Sequence, residues 1–470
     1  MDRATDALFD GSSRWQLRPD SGETLRTCLE RTLREAIREG SLRAGVELPA
    51  SRRLAEQLGV SRGVATDAYA ELEAQGYIQT LPRRSPIVAE LPAGTASRPS
   101  RPPAAEPPPR FDLTPTTPDV TLFPRRQWSA ALAAAVRDAD PDALDYGEPE
   151  GVLTLRRRLA DELGRTRGVI TGPENLLIVQ GAAQGVDLLL RILRASGATR
   201  IAVEDPSLDR QHDQITAHGL ELVGQPVDSD GIIVEELNAD AVIVSPAHQF
   251  PTGAVLSGAR RRELLAWSRD TGGLIIEDDY DAEFRYDREP VRALQGLGPD
   301  RVIYLGTTSK TLAPALRLGW MVVPDALVEP LATGKVLLDD FSPTIEQLAF
   351  ARLIERGHYQ RHIRKTRGIY HARRDELIAA LGEHLRDLAI SGVSAGLSVT
   401  LSLPAGTDDR AVKRAALAGG IRLESLSQYA IQDRGQRGLV IGYGRTHEAS
   451  IRPAVAALSE VVRRHTDRSE

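Results

Sequence analysis

Cysteine and lysine are scarce in this sequence of 470 residues, and long apolar runs are missing. The one cysteine, Cys28, excludes a disulfide framework and a metal site built from several thiolates. Four lysines stand among 59 basic residues: Lys310, Lys335, Lys365 and Lys413. No apolar run reaches the roughly 18 residues that a transmembrane helix needs. Residues 1–10 carry three acids and no apolar segment, so we expect a cytoplasmic protein that does not contact a membrane.

The composition is that of a globular protein with more than one domain. Apolar residues make up 41% and charged residues 26%, and the net charge of −6 argues against general binding of polyanions. Residues 92–110 are rich in Pro, Ala and Ser without a hydrophobic period, which is typical of a spacer. We therefore predict a first domain over residues 14–90, a Pro-rich linker over 91–111 and a second domain over 112–465.

The first domain is predicted to be mainly α-helical. Apolar spacing indicates a helix ending near Gly40, and a second helix that Ser51 caps. Ser61 is expected to cap a third helix, which ends at Gly76. Residues 77–90 alternate weakly around a turn, which predicts a two-stranded wing.

The short turn LGVS (58–61) between the second and third helices is typical of a helix–turn–helix, whose second helix enters the DNA major groove. Basic and small polar side chains cluster there, at the start of the preceding helix and at the wing tip. The predicted DNA-binding residues are Arg52, Arg53, Ser61, Arg62, Gly63, Thr66, Arg83 and Arg84. From the pattern alone the alternative stays open, because three-helix domains that never bind DNA share it. Residues 1–90 carry 13 Arg and 14 acids, so non-specific binding should be modest.

The string LPASRRLAEQLGVSRGVATDAYAELEAQGYI (48–78) resembles the winged helix–turn–helix of GntR-type bacterial regulators. The resemblance covers about residues 22–90 and implies sequence-specific binding to double-stranded operator DNA. Members of that family usually carry glycine near the wing tip, whereas this chain has Pro86 in RRSPIVA (83–89). The wing is therefore expected to have a differently shaped turn.

The second domain alternates short strands with helices, which predicts an α/β fold with a parallel or mixed sheet and helices on both faces. Helices are expected over 182–195 and 257–271, a helical region over 345–385, and a smaller α+β subdomain after residue 390. The predicted strands are 176–181, 201–205, 241–246, 273–279 and 302–306.

Lys310 follows the last of these strands, in YLGTTSKTLAPALRLGW (304–320). Imine formation with an aldehyde needs a primary amine that can lose its proton, which arginine cannot do. Thr307, Thr308 and Ser309 precede Lys310, and with Arg317 they make a sensible phosphate clamp. Most lysines lie on the protein surface, so the alternative that Lys310 is an ordinary surface lysine stays open.

The segment IIEDDYDAEFRY (275–286) carries three consecutive acids, Glu277, Asp278 and Asp279, close to the end of an apolar strand. A carboxylate beside a pyridine nitrogen keeps that ring protonated, and strand alternation favours Asp278 for this role. Tyr280 would then reach the phenolic oxygen of the ring. A solvated acid cluster is the alternative.

Three further segments supply polar groups at strand ends. The turn in VQGAAQGVDLL (179–189) would hold a phosphate with the N–H groups of residues 181–184 at a helix N-terminus. His248 and Gln249 in SPAHQFPTG (245–253) lie at another strand end, from which they can reach a cofactor that carries such a ring and phosphate. Arg445 in IGYGRTH (441–447) is placed to bind a carboxylate, although an isolated arginine is usually a surface residue.

These segments, in this order, resemble fold-type-I aminotransferases over about residues 112–465. The resemblance implies pyridoxal 5′-phosphate as cofactor, held as an imine on Lys310, and a substrate loop at Tyr146 in YGEPEG (146–151). Its implied cofactor-binding residues are Asp278, Tyr280, Ala182, Ala183, Gln184, Thr307, Ser309, Arg317, His248, Gln249 and Leu208. Leu208 in EDPSLDR (204–210) stands where the family often has an aromatic ring. Arg445, Arg210 and Tyr146 are the implied effector-binding residues.

The combination of a GntR-type domain, a linker and an aminotransferase-like domain resembles the MocR branch of bacterial regulators. It implies a head-to-tail homodimer and a regulator rather than an enzyme. In that interpretation the cofactor on Lys310, together with an amino-acid or amine effector, changes the domain arrangement and operator binding. Two alternatives stay open: a regulator that senses pyridoxal phosphate itself to control vitamin B6 supply, and an aminotransferase with an accessory N-terminal domain.

Overall fold

The computed structural model describes residues 17, 19–80, 84–90, 108–286, 291–392 and 394–466. The chain divides between Pro107 and Pro108 into two compact units. Most of the predicted linker and Arg83 lie outside the described residues. Among the helices that are described, none is long and apolar enough to cross a membrane.

The first unit has three helices and a small hairpin. Helix α1 covers Leu25–Arg38, α2 Ser51–Leu58 and α3 Arg62–Ala74, and strands β1 (Ile78–Gln79) and β2 (Ile87–Val88) pair antiparallel. The predicted helices and wing are therefore confirmed. One detail was wrong: Ser51 is the first residue of α2, and Ala50 occupies the N-cap without a side-chain hydrogen bond.

Leucine side chains from all three helices fill the core of this unit. Leu33, Leu54 and Leu72 are fully buried in one cluster with residues of the hairpin. Cys28, on α1, is also buried. Gly59 ends α2 with φ +67°, a conformation that glycine adopts without strain, and this turn leads directly into α3.

The second unit is built around a mixed sheet of eight strands in the order β4-β11-β10-β9-β8-β5-β6-β7. Six strands are mutually parallel, and β11 and β7 run antiparallel to their neighbours. The strand bounds are β4 Leu176–Val179, β5 Arg200–Asp205, β6 Glu221–Asp228, β7 Gly231–Ile232, β8 Ala241–Val244, β9 Leu274–Asp279, β10 Val302–Thr307 and β11 Gly319–Val322. β11 lies within the segment after Lys310 and was not predicted.

Helices cover both faces of this sheet because its strands carry apolar side chains on both sides. Tyr304 and Trp320 pack on one face, and Leu305 and Met321 on the other. The helices of this part are α4 Arg125–Asp138, α5 Leu153–Arg167, α6 Ala182–Ala195, α7 Asp209–Ala217, α8 Gly258–Thr271, α9 Asp325–Asp339, α10 Thr344–Glu355 and α11 His358–His384. The predicted helical region 345–385 is thus two helices, separated at Gly357 with φ +65°.

A smaller α+β subdomain follows the long helix α11, as predicted. Four strands form an antiparallel sheet in the order β12-β13-β16-β15, and β14 pairs with a short strand, β3, that begins the second unit. The elements are β3 Phe111–Asp112, β12 Ile390–Ser391, β13 Ser398–Ser402, α12 Asp409–Ala418, β14 Ile421–Arg422, β15 Glu424–Ser425, β16 Gly438–Gly442 and α13 Glu448–Thr466.

Candidate functional site: a lysine–aspartate cavity and an exposed recognition helix

A cavity of about 290 Å³ lies at the carboxyl ends of the parallel strands, the usual place for a ligand in such sheets. We call it the strand-end cavity. The segments that follow β4, β5, β9 and β10 supply most of its walls. Its lining residues are Thr116, Ala182, Ala183, Val186, Leu208, Asp209, Arg210, Gln211, Gln214, Asp278, Tyr280, Thr307, Ser309, Lys310 and Arg317.

Asp278 is the buried acid of this cavity. Its neighbours Glu277 and Asp279 have their side chains on the opposite side of β9. There Glu277 accepts hydrogen bonds from two backbone N–H groups, and Asp279 accepts one from the hydroxyl of Tyr304. Gln211 donates to Asp278 Oδ2 over 2.9 Å, and Oδ1 is buried with no hydrogen-bond partner among the described residues. Burial, reinforced by the charge of Asp279, raises the pKa of Asp278 to about 7.

The amine of Lys310 faces the same cavity. Burial lowers the pKa of Lys310, and the nearby charge of Arg210 acts in the same direction. The carboxylates of Asp281 and Asp278 oppose that shift. A lowered pKa increases the fraction of neutral amine, the form that acts as a nucleophile.

Hydroxyl, guanidinium and backbone N–H groups lie together at another part of the cavity. Thr307 Oγ1 is 2.9 Å from Ser309 Oγ, and Arg317 donates to the carbonyl of Gln180. Gly181, before α6, has φ +85°, and a Cβ there would lie 3.1 Å from the Arg317 guanidinium. Glycine thus lets the turn before α6 approach Arg317, so that a phosphate could meet both.

Tyr280 lines the cavity, whereas His248 lies beneath it. The Tyr280 hydroxyl is 3.2 Å from His248 Nδ1 and donates to the His248 carbonyl over 3.1 Å. His248 Nδ1 is also 3.0 Å from Asp281 Oδ2. Gln249 is buried and donates to the carbonyl of Pro206 over 2.7 Å. His248 and Gln249 therefore support the cavity wall in this structure, and their direct cofactor contact stays a prediction.

Three other predicted residues lie outside the lining of the strand-end cavity. Gln184 donates to Asp339 over 2.7 Å. Arg445, about half exposed, pairs with Asp112 at 3.1 Å. Tyr146 is 84% exposed and touches the ring of Phe341.

Sequence reasoning missed several residues that line the cavity. Gln211 and Gln214 come from α7, and Thr116 comes from the segment after β3. The spacing of Gln211 and Gln214 by three residues on a helix was the one available signal. Thr116 carried none, because its position depends on long-range packing.

In the first unit, the predicted DNA-binding residues within the described part form an exposed set. Ser61 caps α3 by accepting from Val64 N over 3.3 Å, and Arg62 and Thr66 are exposed on the first turns of that helix. Tyr69 fixes α3 to the segment before α2 by donating to the Pro49 carbonyl over 2.8 Å. The other exposed members are Arg52, Arg53, Gly63 and Arg84.

Comparison with known proteins follows the same division of the chain. Residues 26–88 match the family described as bacterial regulatory proteins, gntR family. Residues 121–458 match aminotransferase class I and II. The multiple substrate aminotransferase of Thermococcus profundus has a TM-score of 0.71 at 26% identity, over 76% of this chain and 92% of that one. LysN of Thermus thermophilus, complexed with N-(5′-phosphopyridoxyl)-L-leucine, has a TM-score of 0.70 at 22% identity, over 76% and 93%.

Three curated relatives match along nearly the whole chain. The uncharacterized HTH-type transcriptional regulator YhdI of Bacillus subtilis is 33% identical, covering 90% of this chain and 93% of the relative. The pyridoxine biosynthesis transcriptional regulator PdxR of Corynebacterium glutamicum is 32% identical, over 95% and 98%. The probable rhizopine catabolism regulatory protein MocR of Rhizobium meliloti is 31% identical, over 91% of each chain.

The protein is thus a regulator with a helix–turn–helix domain and a fold-type-I aminotransferase domain. It belongs to the MocR-type branch of the GntR family.

Proposed function

We propose that this regulator binds pyridoxal 5′-phosphate through Lys310, and that filling this site changes how the protein binds operator DNA. One observation carries the proposal: the amine of Lys310 and the buried carboxylate of Asp278 face one cavity, which is also lined by the hydroxyl and guanidinium groups of Thr307, Ser309 and Arg317. The orphaned Oδ1 of Asp278 fits the cofactor, because a protonated pyridine nitrogen is the donor that this oxygen lacks.

When bound, pyridoxal phosphate supplies an aldehyde carbon that accepts a primary amine and a ring that withdraws electrons. Lys310, whose pKa is lowered by burial, is the amine of this chain. Asp278 would accept a hydrogen bond from the protonated ring nitrogen and so keep it protonated, and Tyr280 would hydrogen-bond the ring oxygen. Leu208, which lines the cavity, would pack on the ring without stacking.

The phosphate would be held by the cluster that includes Arg317 and the start of α6. Thr307 and Ser309 provide hydroxyls, and Ala182 and Ala183 provide N–H groups at the helix N-terminus. Gln184 is bonded to Asp339, so its side chain would have to move to take part.

An amino-compound effector would enter the same cavity. Arg210 lines it and carries a guanidinium suited to a carboxylate. Arg445 would bind a carboxylate in place of its present partner Asp112. Tyr146 would contribute from the loop that precedes α5.

We further propose that the regulator works as a head-to-tail homodimer. Large apolar side chains stay exposed on the second unit at Leu144, Tyr146, Val336 and Leu337, as expected for a surface that a second copy covers. An effector can shift the dimer between arrangements only by binding one of them more tightly. The exposed residues of α3 would then reach the half-sites of an operator to different extents.

A visible absorbance titration with pyridoxal phosphate tests the proposal. We expect a saturable band with the full-length protein that borohydride fixes on Lys310, and no such band with Lys310→Ala. Lys365→Ala, an exposed lysine outside the lining, is the matched control. Duplexes selected from a random DNA library by the full-length protein would then be compared with and without cofactor. Equal cofactor response in Lys310→Ala would contradict the proposal.

Two alternative functions, a sensor of the cofactor itself and an aminotransferase, are each supported by one observation. The relative PdxR is named for pyridoxine biosynthesis, which favours a sensor of pyridoxal phosphate itself. The lysine, aspartate and tyrosine that line the cavity favour an aminotransferase. Adding amino acids to the cofactor-loaded protein separates the three cases. A spectral shift without turnover indicates an amino effector, no shift indicates the cofactor sensor, and sustained keto-acid production indicates an enzyme.

A further inference from the structure

A second cavity, of about 300 Å³, lies across the sheet from the strand-end cavity. Trp320 lines it and belongs to the apolar cluster on the opposite face of the sheet. Helix α5 and the first turns of α11 form its walls. We call it the α5–α11 cavity, and its main polar lining residues are Glu162, Arg165, Arg167, Glu283, Arg364 and Arg367.

The polar groups of this cavity are unbalanced in favour of hydrogen-bond donors. The indole N–H of Trp320, a side chain only 2% exposed, has no acceptor among the described residues. Arg364 is exposed at the mouth of the cavity and forms no ion pair or hydrogen bond with another described residue. Arg367 donates through Nε to the Glu283 carbonyl over 2.7 Å, which leaves its terminal nitrogens available. The guanidinium groups of Arg364 and Arg367 have donors left over, so the cavity favours a ligand that carries an acceptor group.

The acids that line the cavity do not offset these cations. Glu162 is already paired with Arg165 at 2.6 Å and with Gln360. Burial, reinforced by the charge of Asp279, raises the pKa of Glu283, which disfavours its negative charge. The electrostatic preference of the cavity is therefore for an anion.

Apolar side chains cover the remaining wall, at Leu159, Leu163 and Ile363. A bare inorganic anion would leave this wall without a partner, whereas a short hydrocarbon chain would pack on it. We propose that the α5–α11 cavity binds a small organic carboxylate, with its carboxylate towards Arg364 and Arg367 and its hydrocarbon part on this wall.

Two contacts connect this cavity to the strand-end cavity. Tyr359, in its lining, has its hydroxyl 3.1 Å from Thr311 Oγ1, and Thr311 is the residue after Lys310. Arg167, also in the lining, lies 2.7 Å from Asp279 Oδ2, and Asp279 follows Asp278. A carboxylate that moves Tyr359 or Arg167 therefore changes the surroundings of both key residues. Binding at either cavity then alters affinity at the other by the same factor.

Calorimetric titration of the full-length protein with sodium butyrate at neutral pH tests the new site. We expect one saturable site per chain, and no heat with butyramide, which has the same shape without the charge. Arg364→Gln should weaken butyrate binding about tenfold, the loss typical of a charge-assisted hydrogen bond. Lys365→Gln, the next residue and outside the lining, should leave binding unchanged.

A second substitution at Arg364 and a competition assay test the α5–α11 cavity further. Arg364→Glu should abolish butyrate binding. Circular dichroism should show that Arg364→Gln and Arg364→Glu are both folded. The titration is repeated with pyridoxal phosphate at saturation and with Lys310→Ala, so its outcome does not depend on the proposed cofactor function. Butyrate binding that saturating pyridoxal phosphate abolishes completely, or that is as tight in Arg364→Gln as in wild type, would overturn the inference, as would a protein that binds no butyrate.

The connection between the cavities has its own readout. Saturating butyrate should shift the apparent affinity for pyridoxal phosphate about fivefold in the wild type and leave it unshifted in Arg364→Glu, which binds no butyrate. An unchanged cofactor affinity in the wild type would overturn the connection and leave the carboxylate site standing.

Discussion

The side-chain amide of Gln211 donates to one carboxylate oxygen of Asp278 over 2.9 Å, while the other oxygen of Asp278 is buried without a partner. The carboxylate is thus half-satisfied, at the end of a strand whose other acids are bonded elsewhere. A group in this state favours protonation until a donor arrives. The half-satisfied carboxylate destabilises the folded protein, and the protonated ring nitrogen of the proposed cofactor would supply the missing donor.

Asp278→Asn should therefore stabilise the cofactor-free protein at high pH. The pKa of Asp278 is raised from 3.8 to about 7, so between these values the folded state keeps a proton that the unfolded state releases. The free energy of unfolding consequently falls as pH rises through this window and stays low above it. At pH 8 we expect Asp278→Asn to exceed wild type by about 2–4 kcal/mol.

Unfolding of the cofactor-free second unit by denaturant, followed by tryptophan fluorescence at pH 5 and pH 8, measures this difference. The advantage of Asp278→Asn should shrink at pH 5. Asp270→Asn, which removes a carboxylate that is 71% exposed, should show no such pH dependence. The same Asp278→Asn variant should bind pyridoxal phosphate more weakly, by about tenfold or more. A variant less stable than wild type at pH 8 would contradict this account of Asp278.

Arg167 and Asp279 form a buried ion pair behind this site, at 2.7 Å and with each side chain 3% exposed. Tyr304 donates to the same Asp279 oxygen over 2.7 Å. Arg167→Met leaves Asp279 charged and buried without its cation, so we expect a loss of about 3–5 kcal/mol in the free energy of unfolding.

The double variant Arg167→Met with Asp279→Leu provides the control. It removes both charges, and it should recover most of the stability that Arg167→Met loses. A double variant as unstable as the single one would show that packing around Arg167, rather than its charge, stabilises this region.

The contrast between these residues shows what the sequence allowed us to predict. Lys310 was identifiable because lysine is scarce, and Asp278 because strand alternation separates it from Glu277 and Asp279. Neither signal indicates that Arg167, 112 residues away, pairs with Asp279. Such a pair depends on how α5 packs against the sheet, which no local pattern encodes.

Predictions from short sequence patterns were most accurate for features that short-range interactions determine. The N-cap at Ser61 and the bounds of α6 follow the predicted pattern because short-range hydrogen bonds set them. Strand β11 was missed because its small and aromatic residues do not alternate clearly. Gln211 was missed because its role depends on a hydrogen bond to Asp278, 67 residues away.

Arg62→Ala should weaken binding to a selected operator duplex. Arg62 is exposed on the first turn of α3, the helix that would enter the major groove, and a good side-chain contact to a base contributes about 1–3 kcal/mol. We expect an affinity loss between about fivefold and a hundredfold at constant salt. Arg38→Ala, in the last turn of α1, removes an equal charge outside the recognition helix. Fluorescence anisotropy on specific and scrambled duplexes separates the two effects, and equal losses in both variants would contradict a recognition role for α3.

Ser61→Ala should affect the stability of the first unit as well as operator binding. The Ser61 hydroxyl accepts from Val64 N over 3.3 Å, so its removal should lower the stability of the first unit by about 1 kcal/mol. Ser61→Asp restores a capping oxygen and adds a negative charge facing the DNA. We expect Ser61→Asp to regain stability but to bind the operator more weakly than Ser61→Ala. Equal operator affinity of the two variants would indicate that Ser61 acts only as a helix cap.

Leu337→Asp should convert the proposed dimer to a monomer. Leu337 is 85% exposed near the end of α9, and Tyr146 is 84% exposed and touches Phe341 just beyond the same helix. These side chains would be buried together if a second copy covers this surface, and a charge placed there would then lose its water. Light scattering should give half the mass of wild type, with unchanged circular dichroism. Leu417→Asp, at a leucine that is 44% exposed on α12 of the smaller subdomain, should keep the wild-type mass. A dimeric Leu337→Asp would place the dimer interface on another surface.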